Sequence, residues 1–286
     1  MTSKRVFISG AHGLLGTTLT RELKKKKYEV LTAPQTTDLA SALTCHEILD
    51  ETQPQLIVNL AALTNVDACE DFPEKALQVN AIVVKNIADW IKKNPGCHLI
   101  QISTDMVYNS PGYNKEEQIS CLNEYAKSKL KGEEFAIEVD GTILRTNFFG
   151  HSLVSHRKSF SDWLLQSFQD RIPLKLLTDV EFSPLNIATL CDQIEIVLQN
   201  PVSGVFNLGA RTALSKRDFA YKIAEVYGYD IQNHSTDVTM ESLIFKAPRP
   251  HHMAMDVSKY ERTFGVQLPT LEDEIQKLKS EEWRSS

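Results

Sequence analysis

The sequence of 286 residues has few cysteines, no excess of positive charge and no long apolar run. Its five cysteines are dispersed without Cys-x-x-Cys or Cys/His ligand spacing, which argues against a disulfide framework and against a metal site. No apolar run approaches the length of a membrane span, and a strand predicted from Lys4 leaves no room for a signal peptide. We therefore expect a cytoplasmic protein with reduced thiols and no contact with membranes.

The charge balance also argues against one class of partner. Lysine and arginine number 31 against 37 acidic residues, for a formal net charge of −6, which argues against nucleic acid as a partner. The one basic run, Lys24 to Lys27, is expected to be a solvated helix end. With 42% hydrophobic residues, the chain can build a sizeable core, as one large α/β domain or as a domain with a smaller annex.

Three glycines follow the first predicted strand, Arg5 to Ser9, and open an amphipathic helix. Strand, glycine turn and helix form the arrangement that binds dinucleotides. Gly10 would permit the tight turn, Gly13 would let the backbone approach a pyrophosphate, and Gly16 would let helix and strand pack closely. The spacing G-x-x-G-x-x-G is associated with short-chain and extended reductases, although a purely structural turn is the alternative.

The end of the second predicted strand, Tyr28 to Thr32, bears on the choice of cofactor. An acid there usually holds the ribose 2′-hydroxyl of NAD, and an arginine there would grip the 2′-phosphate of NADP. Neither residue type is present. We expect NADP or NAD, with NADPH slightly preferred, because the missing acid removes a repulsion. Asp38 either caps the following helix or receives the adenine amino group.

Two later strands end in small or hydroxyl-bearing residues. Leu56 to Leu60 is followed by Ala61 and Ala62, which allow close approach of a flat ligand at the sheet edge. The strand His98 to Ile102 is followed by Ser103-Thr104-Asp105. These hydroxyls either hold a substrate carbonyl beside the cofactor or end the strand without a catalytic task.

Tyr125 and Lys129 are four residues apart on a helix that Asn123 is expected to cap, so they share one face. A phenol beside an ammonium is a proton donor whose pKa is lowered toward working pH. The Tyr-x-x-x-Lys spacing alone is common on helix surfaces. It indicates a catalytic pair here because the glycine turn and the hydroxyl-bearing strand end accompany it.

Asn80 interrupts the apolar stripe of an earlier helix. A buried amide needs hydrogen-bond partners, which it finds either in a structural bond or in a bridge to the active-site backbone.

The order of elements predicts an α/β fold of the Rossmann type, a doubly wound parallel sheet with a small carboxyl-terminal substrate-binding annex. We expect the NAD(P)-binding domain at residues 1–150, with residues 187–208 returning to its sheet. Residues 151–286 would mainly form the annex. Within it, the stretch His151 to Lys158 is predicted to be a mobile basic loop.

Three motifs occur in order along the chain. They are Gly10-x-x-Gly13-x-x-Gly16, Ser103-Thr104-Asp105-x-Val107-Tyr108 and Tyr125-x-x-x-Lys129-x-x-Gly132-Glu133. With these motifs the sequence resembles the extended short-chain dehydrogenase/reductases. Asn59 to Glu70, Leu144-Arg145-Thr146 and Arg249-Pro250 make it most similar to the dTDP-4-dehydrorhamnose reductase group, over nearly the whole chain.

The resemblance implies NAD(P)H-dependent reduction of the 4-keto group of a nucleotide-linked 6-deoxy sugar. Thr104 would hydrogen-bond the ketone, Tyr125 would donate the proton, and Lys129 would bind the nicotinamide ribose and lower the tyrosine pKa. The cofactor-binding residues that it implies are Gly10, His12, Gly13, Leu14, Leu15, Gly16, Asp38, Leu39, Leu60, Ala61, Ala62, Ser103, Tyr125 and Lys129. The substrate-binding residues that it implies are Thr104, Asp105, Asn147 and Arg249.

Some features depart from the family pattern. Ala126 stands where a glycine usually follows the tyrosine, and Glu124 precedes it. The stretch His151 to Phe160 is longer and more basic than expected, and its residues His156, Arg157 and Lys158 either reach a diphosphate or stay in a solvated loop.

Two further functions compete with the reductase. A non-catalytic NADP-binding regulatory subunit, similar to the β subunit of methionine adenosyltransferase, need not keep Thr104, Tyr125 and Lys129. A sugar-nucleotide epimerase or dehydratase usually carries the second-strand acid that is missing here. The expected partner is a small nucleotide sugar, and a homodimer is left open.

Overall fold

The computed structural model describes residues 4–155 and 157–280. Its strands are β1 (Arg5–Ser9), β2 (Glu29–Thr32), β3 (Leu56–Asn59), β4 (His98–Thr104), β5 (Thr142–Thr146), β6 (Phe148–Phe149), β7 (Leu174–Leu177), β8 (Glu181–Phe182), β9 (Leu185–Asn186), β10 (Gly204–Leu208), β11 (Leu214–Ser215), β12 (Ser235–Val238) and β13 (His252–Met253). Its α-helices are α1 (Leu14–Lys25), α2 (Ala42–Thr52), α3 (Val66–Asp71), α4 (Pro73–Leu77), α5 (Val83–Lys93), α6 (Glu124–Ile137), α7 (Phe160–Gln169), α8 (Ile187–Gln199), α9 (Lys216–Tyr227), α10 (Ser258–Phe264) and α11 (Leu271–Ser280).

The central sheet has six strands in the order β10-β5-β4-β3-β1-β2, and all neighbours pair in parallel. The predicted α/β fold with a doubly wound parallel sheet is therefore confirmed. Ser9 pairs with Asn59, and Thr104 pairs with Thr146. The carboxyl ends of four strands consequently meet at one edge, where ligands bind in such sheets.

Both faces of the sheet are buried, as the alternation of apolar side chains requires. In β1, Val6 and Ile8 belong to one hydrophobic cluster, while Phe7 between them belongs to another on the opposite face. Ile143 and Leu144 divide in the same way in β5. Helices cover each face, with α1 and α8 packed together on one side and α2 against α5 on the other.

The second half of the chain adds small sheets beside the central one. The strands form the sets β11-β8-β13, β12-β7 and β6-β9. An aromatic cluster holds this part together, because Phe182 and Phe219 meet edge to face at 5.1 Å and Phe160 stacks on Phe219 at 5.8 Å. The division at residue 150 stays a prediction.

The helical region between β3 and β4 is interrupted after α3 and contains a π-helical segment. Pro73 at the first position of α4 separates it from α3, and a π-helical segment, Gln78–Ile82, joins α4 to α5. Proline is favoured at a helix start because it lacks the N–H that would bond to the preceding turn. Single-turn π segments occur often at functional sites.

The described residues give two further negative findings. None of their helices is long and apolar enough to cross a membrane. They also contain no group of three or more His, Cys, Asp or Glu side chains placed to hold a metal ion.

Candidate active site

The turn between β1 and α1 lies against the end of β3. Gly10 has φ +65°, the left-handed conformation that glycine adopts most readily. A Cβ at this position would lie 2.8 Å from backbone atoms of Leu60 and Ala61. The Ser9 hydroxyl accepts hydrogen bonds from the backbone N–H groups of Leu60 and Ala61, at 3.1 and 3.2 Å. Close backbone packing thus leaves room for a ligand above the turn but not for a side chain within it.

Two adjacent cavities open at this edge of the sheet, with volumes of about 600 and about 280 Å³, and both are lined by Gly10, Gly13 and Leu60. All the cofactor-binding residues expected from the sequence line one or both. Those lining the larger cavity are Gly10, Gly13, Leu14, Leu15, Gly16, Leu60, Ala62, Ser103, Tyr125 and Lys129. Those lining the smaller cavity are Gly10, His12, Gly13, Asp38, Leu39, Leu60, Ala61 and Ala62. Two joined cavities over an exposed glycine backbone fit an extended dinucleotide.

The smaller cavity includes the segment after β2. Ala33, Pro34 and Gln35 line it and offer neither an acid nor an arginine. Asp38 does not cap the following helix, because α2 begins after Ser41, whose side chain accepts a hydrogen bond from Thr44. The Asp38 carboxylate instead accepts the N–H of Ala40 at 3.0 Å within a local turn. The exposed Asp38 therefore remains at the wall of the smaller cavity.

Tyr125 and Thr104 approach each other from α6 and from the end of β4. Asn123 caps α6 as predicted, with its side chain accepting the N–H of Ala126 at 2.9 Å. Tyr125 lies in the first turn and packs beside Cys69. Both Tyr125 and Thr104 are almost fully buried, yet both line the larger cavity. A carbonyl oxygen bound there would meet two hydroxyl groups.

The pKa of Tyr125 departs from the sequence expectation. Burial raises it to about 12, a hydrogen bond with Thr104 lowers it, and the nearby charge of Asp105 raises it. Lys129 is not among the groups that shift it. The expected lowering by Lys129 is therefore wrong for this structure, because low solvation outweighs the neighbouring charges.

Lys129 points across the helix toward the sheet. Its ammonium donates a hydrogen bond to the carbonyl oxygen of Ile102 at 2.6 Å. Burial lowers the pKa of Lys129 to about 8, while the Glu133 carboxylate opposes that shift. Glu133 is held by Arg145 through bonds of 2.6 and 3.0 Å, and it accepts the Ser103 hydroxyl. The part of the larger cavity that Ser103 and Lys129 line is thus connected to a buried ion pair.

Asn80 connects α6 with the loop after β3. Its amide accepts the N–H of Leu63 at 2.8 Å and donates to the Ser128 hydroxyl at 2.9 Å. Of the two alternatives that the sequence leaves open, the bridge toward the active-site backbone is the one observed. The π-helical segment that contains Asn80 supplies the local geometry for this bridge.

The substrate residues expected from the sequence divide into two groups. Thr104, Asp105 and Asn147 line the larger cavity, and the Asn147 amide donates to the Asp105 carboxylate at 2.7 Å. Burial raises the pKa of Asp105 to about 6 although that hydrogen bond lowers it. Arg249 does not line the cavity, because its guanidinium pairs with Asp67 at 2.9 Å.

The basic loop contributes to the site. Arg157 lines both cavities, and a guanidinium nitrogen lies 3.9 Å from the position that a Cβ would take on Gly13. Lys158 lines the larger cavity. His156, named with them from the sequence, lies outside the described residues.

Several cavity residues were not expected from the sequence. Lys216, Phe148, Phe160 and Met253 line the larger cavity from the second half of the chain. Of these four residues, only Lys216 could have been recognised from the sequence, because it is the first residue of α9. A lysine is disfavoured at the positive end of a helix dipole, and such a local conflict often marks a functional residue.

A protein-family model and two known proteins match nearly the whole of this chain. The family model described as "RmlD substrate binding domain" matches residues 4–282. The probable low-salt glycan biosynthesis reductase Agl14 of Haloferax volcanii is 30% identical over 96% of this chain and 97% of its own length. The methionine adenosyltransferase 2 subunit beta of Bos taurus is 27% identical over 92% of this chain and 83% of its own length.

A solved structure is also similar throughout. The crystal structure of dTDP-4-dehydrorhamnose reductase from Bacillus anthracis, in complex with NADP, superposes with a TM-score of 0.90. It covers 98% of this chain and 100% of its own chain at 26% identity.

Proposed function

The chain belongs to the RmlD substrate binding domain family, as its motifs predict, and we propose that it is an NAD(P)H-dependent reductase of a nucleotide-linked 4-keto-6-deoxy sugar. The observation that carries this proposal is the arrangement of Thr104, Tyr125 and Lys129 along the cavity that the glycine turn also lines. The NADP complex of the Bacillus anthracis enzyme supports the cofactor class.

In this mechanism, the bound nicotinamide supplies the hydride. The Thr104 hydroxyl hydrogen-bonds the ketone oxygen and holds the carbonyl beside Tyr125. The Tyr125 hydroxyl donates its proton to that oxygen as negative charge develops on it. Donors aimed at such an oxygen in a buried site typically stabilise the transition state by a few kcal/mol.

Lys129 has two tasks in the proposal. Its ammonium holds α6 against β4 through Ile102, and it binds the ribose of the cofactor. Because its pKa lies near 8, the lysine is largely protonated at neutral pH and can donate to ribose hydroxyls. Alignment of ketone and cofactor is the main contribution of these residues.

The choice between cofactors follows from the segment after β2. No carboxylate from Ala33, Pro34 or Gln35 would repel a 2′-phosphate, so NADPH is accepted and slightly preferred. NADH remains a substrate because no arginine in this segment selects the phosphate.

The proposal is tested with a panel of dTDP-, UDP-, GDP- and CDP-linked 4-keto-6-deoxy sugars and measurement of nicotinamide absorbance. We expect oxidation of NADPH only when one of these sugars is present. Tyr125→Phe should lower kcat by at least about 100-fold, and Tyr113→Phe, an exposed tyrosine outside the cavity, should not. Wild-type kcat in the Tyr125→Phe variant would rule out the proton donor.

The relationship to methionine adenosyltransferase 2 subunit beta favours one alternative, a cofactor-binding regulatory subunit. That function needs no proton donor, whereas this chain places Thr104 and Tyr125 together in a cavity. Co-purification with a methionine adenosyltransferase catalytic subunit, together with inactivity toward the whole sugar panel, would establish the alternative.

A further inference from the structure

One charged side chain in the larger cavity has no part in the reduction. Lys216 lies at the start of α9, where its ammonium is 4.9 Å from the centroid of the Phe160 ring and 5.1 Å from that of Phe182. Within residues 4–155 and 157–280, the structure shows no hydrogen-bond acceptor for this ammonium. Contacts with aromatic faces compensate a cation only in part for lost water.

Lys216 is held there against several unfavourable effects. The positive end of the α9 dipole repels it, and burial lowers its pKa. The charge of Arg249 lowers the pKa further, and only Asp105 acts in the opposite direction. Asp105 acts on the ammonium through its charge alone, because no hydrogen bond joins the two side chains in the described part of the chain. The ammonium therefore has unused capacity for an anionic ligand.

The charges along the cavity wall also favour an anionic ligand. Four cations line the larger cavity, namely Lys129, Arg157, Lys158 and Lys216, and Asp105 is the one carboxylate among the described lining residues. Such an excess of positive charge suits a ligand that carries more than one negative charge. Because Lys129 and Arg157 would face the cofactor, Lys158 and Lys216 remain for a second anionic ligand, and a nucleotide sugar is one through its diphosphate.

Lys216 and Thr104 line the same cavity, so one ligand could reach both residues. Lys216 is within electrostatic range of Asp105, which directly follows Thr104 in the chain. In a 4-keto pyranose, carbon 1 lies across the ring from carbon 4 and carries the phosphate. With its ketone at Thr104, such a sugar would carry its phosphate at the opposite end of the ring, and Phe160, Lys216 and Met253 line the cavity from the second half of the chain.

We propose that Lys216 binds the phosphate that joins the sugar to its nucleotide, and thereby selects nucleoside-diphosphate sugars over free sugars. This inference rests on the proposed function for the identity of the sugar. A lysine is a suitable phosphate ligand because its ammonium acts as a compact charge with three donors.

The test measures the binding of dTDP, UDP, GDP and CDP by calorimetry without cofactor and without turnover. Lys216→Met keeps the chain length and the apolar stem over Phe160 and Phe182. We expect it to weaken the best-bound diphosphate at least about tenfold, with the matching nucleoside and NADPH unaffected. Lys175→Met is the matched control, since Lys175 is exposed on β7 and outside the cavity. Lys216→Arg should restore part of the affinity.

The outcomes separate the two proposals. Unchanged diphosphate affinity in Lys216→Met, or no binding of any diphosphate to the wild type, overturns the phosphate assignment. A higher KM for the keto sugar with unchanged diphosphate affinity also overturns it, and assigns Lys216 to sugar hydroxyls. Diphosphate binding that depends on Lys216, without reduction of any keto sugar, upholds the lysine assignment and refutes the reductase. If Lys216→Met fails to fold, Lys216→Gln takes its place.

Discussion

The Lys129 ammonium donates a hydrogen bond to the Ile102 carbonyl oxygen at 2.6 Å, and both residues are buried. Ile102 stands two residues before Thr104 on β4, and Lys129 stands one turn after Tyr125 on α6. The bond therefore fixes the helix with the proposed proton donor against the strand with the proposed carbonyl ligand. Lys129 positions the two hydroxyl groups in addition to its proposed contact with the cofactor.

Replacement of this lysine should impair both tasks. Lys129→Met removes one of two side-chain donors to the buried Ile102 carbonyl, the other being the Gln101 amide at 2.8 Å, and it also removes the proposed ribose contact. We expect kcat for NADPH oxidation to fall by about 100-fold or more and the Kd for NADPH to rise. Steady-state absorbance and fluorescence titration measure the two effects. Lys131→Met is the control, because Lys131 lies on the exposed side of α6. A Lys129→Met enzyme with wild-type kcat and Kd would contradict both assignments.

Asp105 should make stability depend on pH. Its pKa in the folded protein is about 6, against an ordinary value of 3.8, so the folded state binds more protons between these values. Stability consequently falls as pH rises through this interval. Asp105→Asn removes the ionisation, and its stability relative to the wild type should be greater by about 1–3 kcal/mol near neutral pH.

Urea unfolding at a series of pH values tests this prediction. The difference between Asp105→Asn and the wild type should shrink as pH falls below the folded pKa of about 6. An equal difference at all pH values would mean that Asp105 is not held in a raised-pKa environment. Asp237→Asn, at an exposed position of β12, serves as the control.

The sequence predicts those parts of the fold that local signals determine. Local signals of this kind stand at the start of α7, where Ser159 forms a capping box, and at the end of α9, where Gly228 adopts a left-handed conformation. The π-helical segment that joins α4 to α5 could not be predicted in this way. It contains Asn80, whose partners Leu63 and Ser128 are 17 and 48 residues away in the chain.

In the candidate site, too, some features could be predicted from the sequence and others could not. Residues at the ends of parallel strands, such as Ala61 and Thr104, were expected at one edge because the sheet topology brings those ends together. The pKa of Tyr125 was not predictable, since it follows from burial rather than from the spacing to Lys129. Lys216 was missed because it reaches the cavity from a distant helix, which only the tertiary fold places there.

The ion pair of Glu133 and Arg145 joins α6 to β5 beneath the cofactor side of the cavity. Both side chains are only 2% exposed, and Arg145 also donates to the Tyr108 hydroxyl at 2.8 Å. Glu133→Leu leaves a buried guanidinium without its counter-ion, which typically costs about 3–5 kcal/mol. We expect a loss of this size in the free energy of unfolding measured with urea.

Two further variants separate the ion pair from simple packing. The double variant Glu133→Leu/Arg145→Met should be less destabilised than Glu133→Leu alone, because no unpaired charge remains. Glu134→Leu, at the exposed neighbour that pairs with Lys131, should change stability by less than about 1 kcal/mol. Equal losses in the single and double Glu133 variants would show that the charge pair is not the cause.

Arg157 approaches the start of α1, where the pyrophosphate of a dinucleotide binds at the positive end of a helix. It lines both cavities, so its guanidinium stands where the two halves of the cofactor would join. We therefore expect Arg157→Ala to raise the Kd of NADPH and of NADH alike, by about tenfold each. Arg211→Ala, an exposed arginine outside both cavities, is the control. A loss confined to NADPH would instead assign Arg157 to the 2′-phosphate, and no loss for either cofactor would remove it from the site.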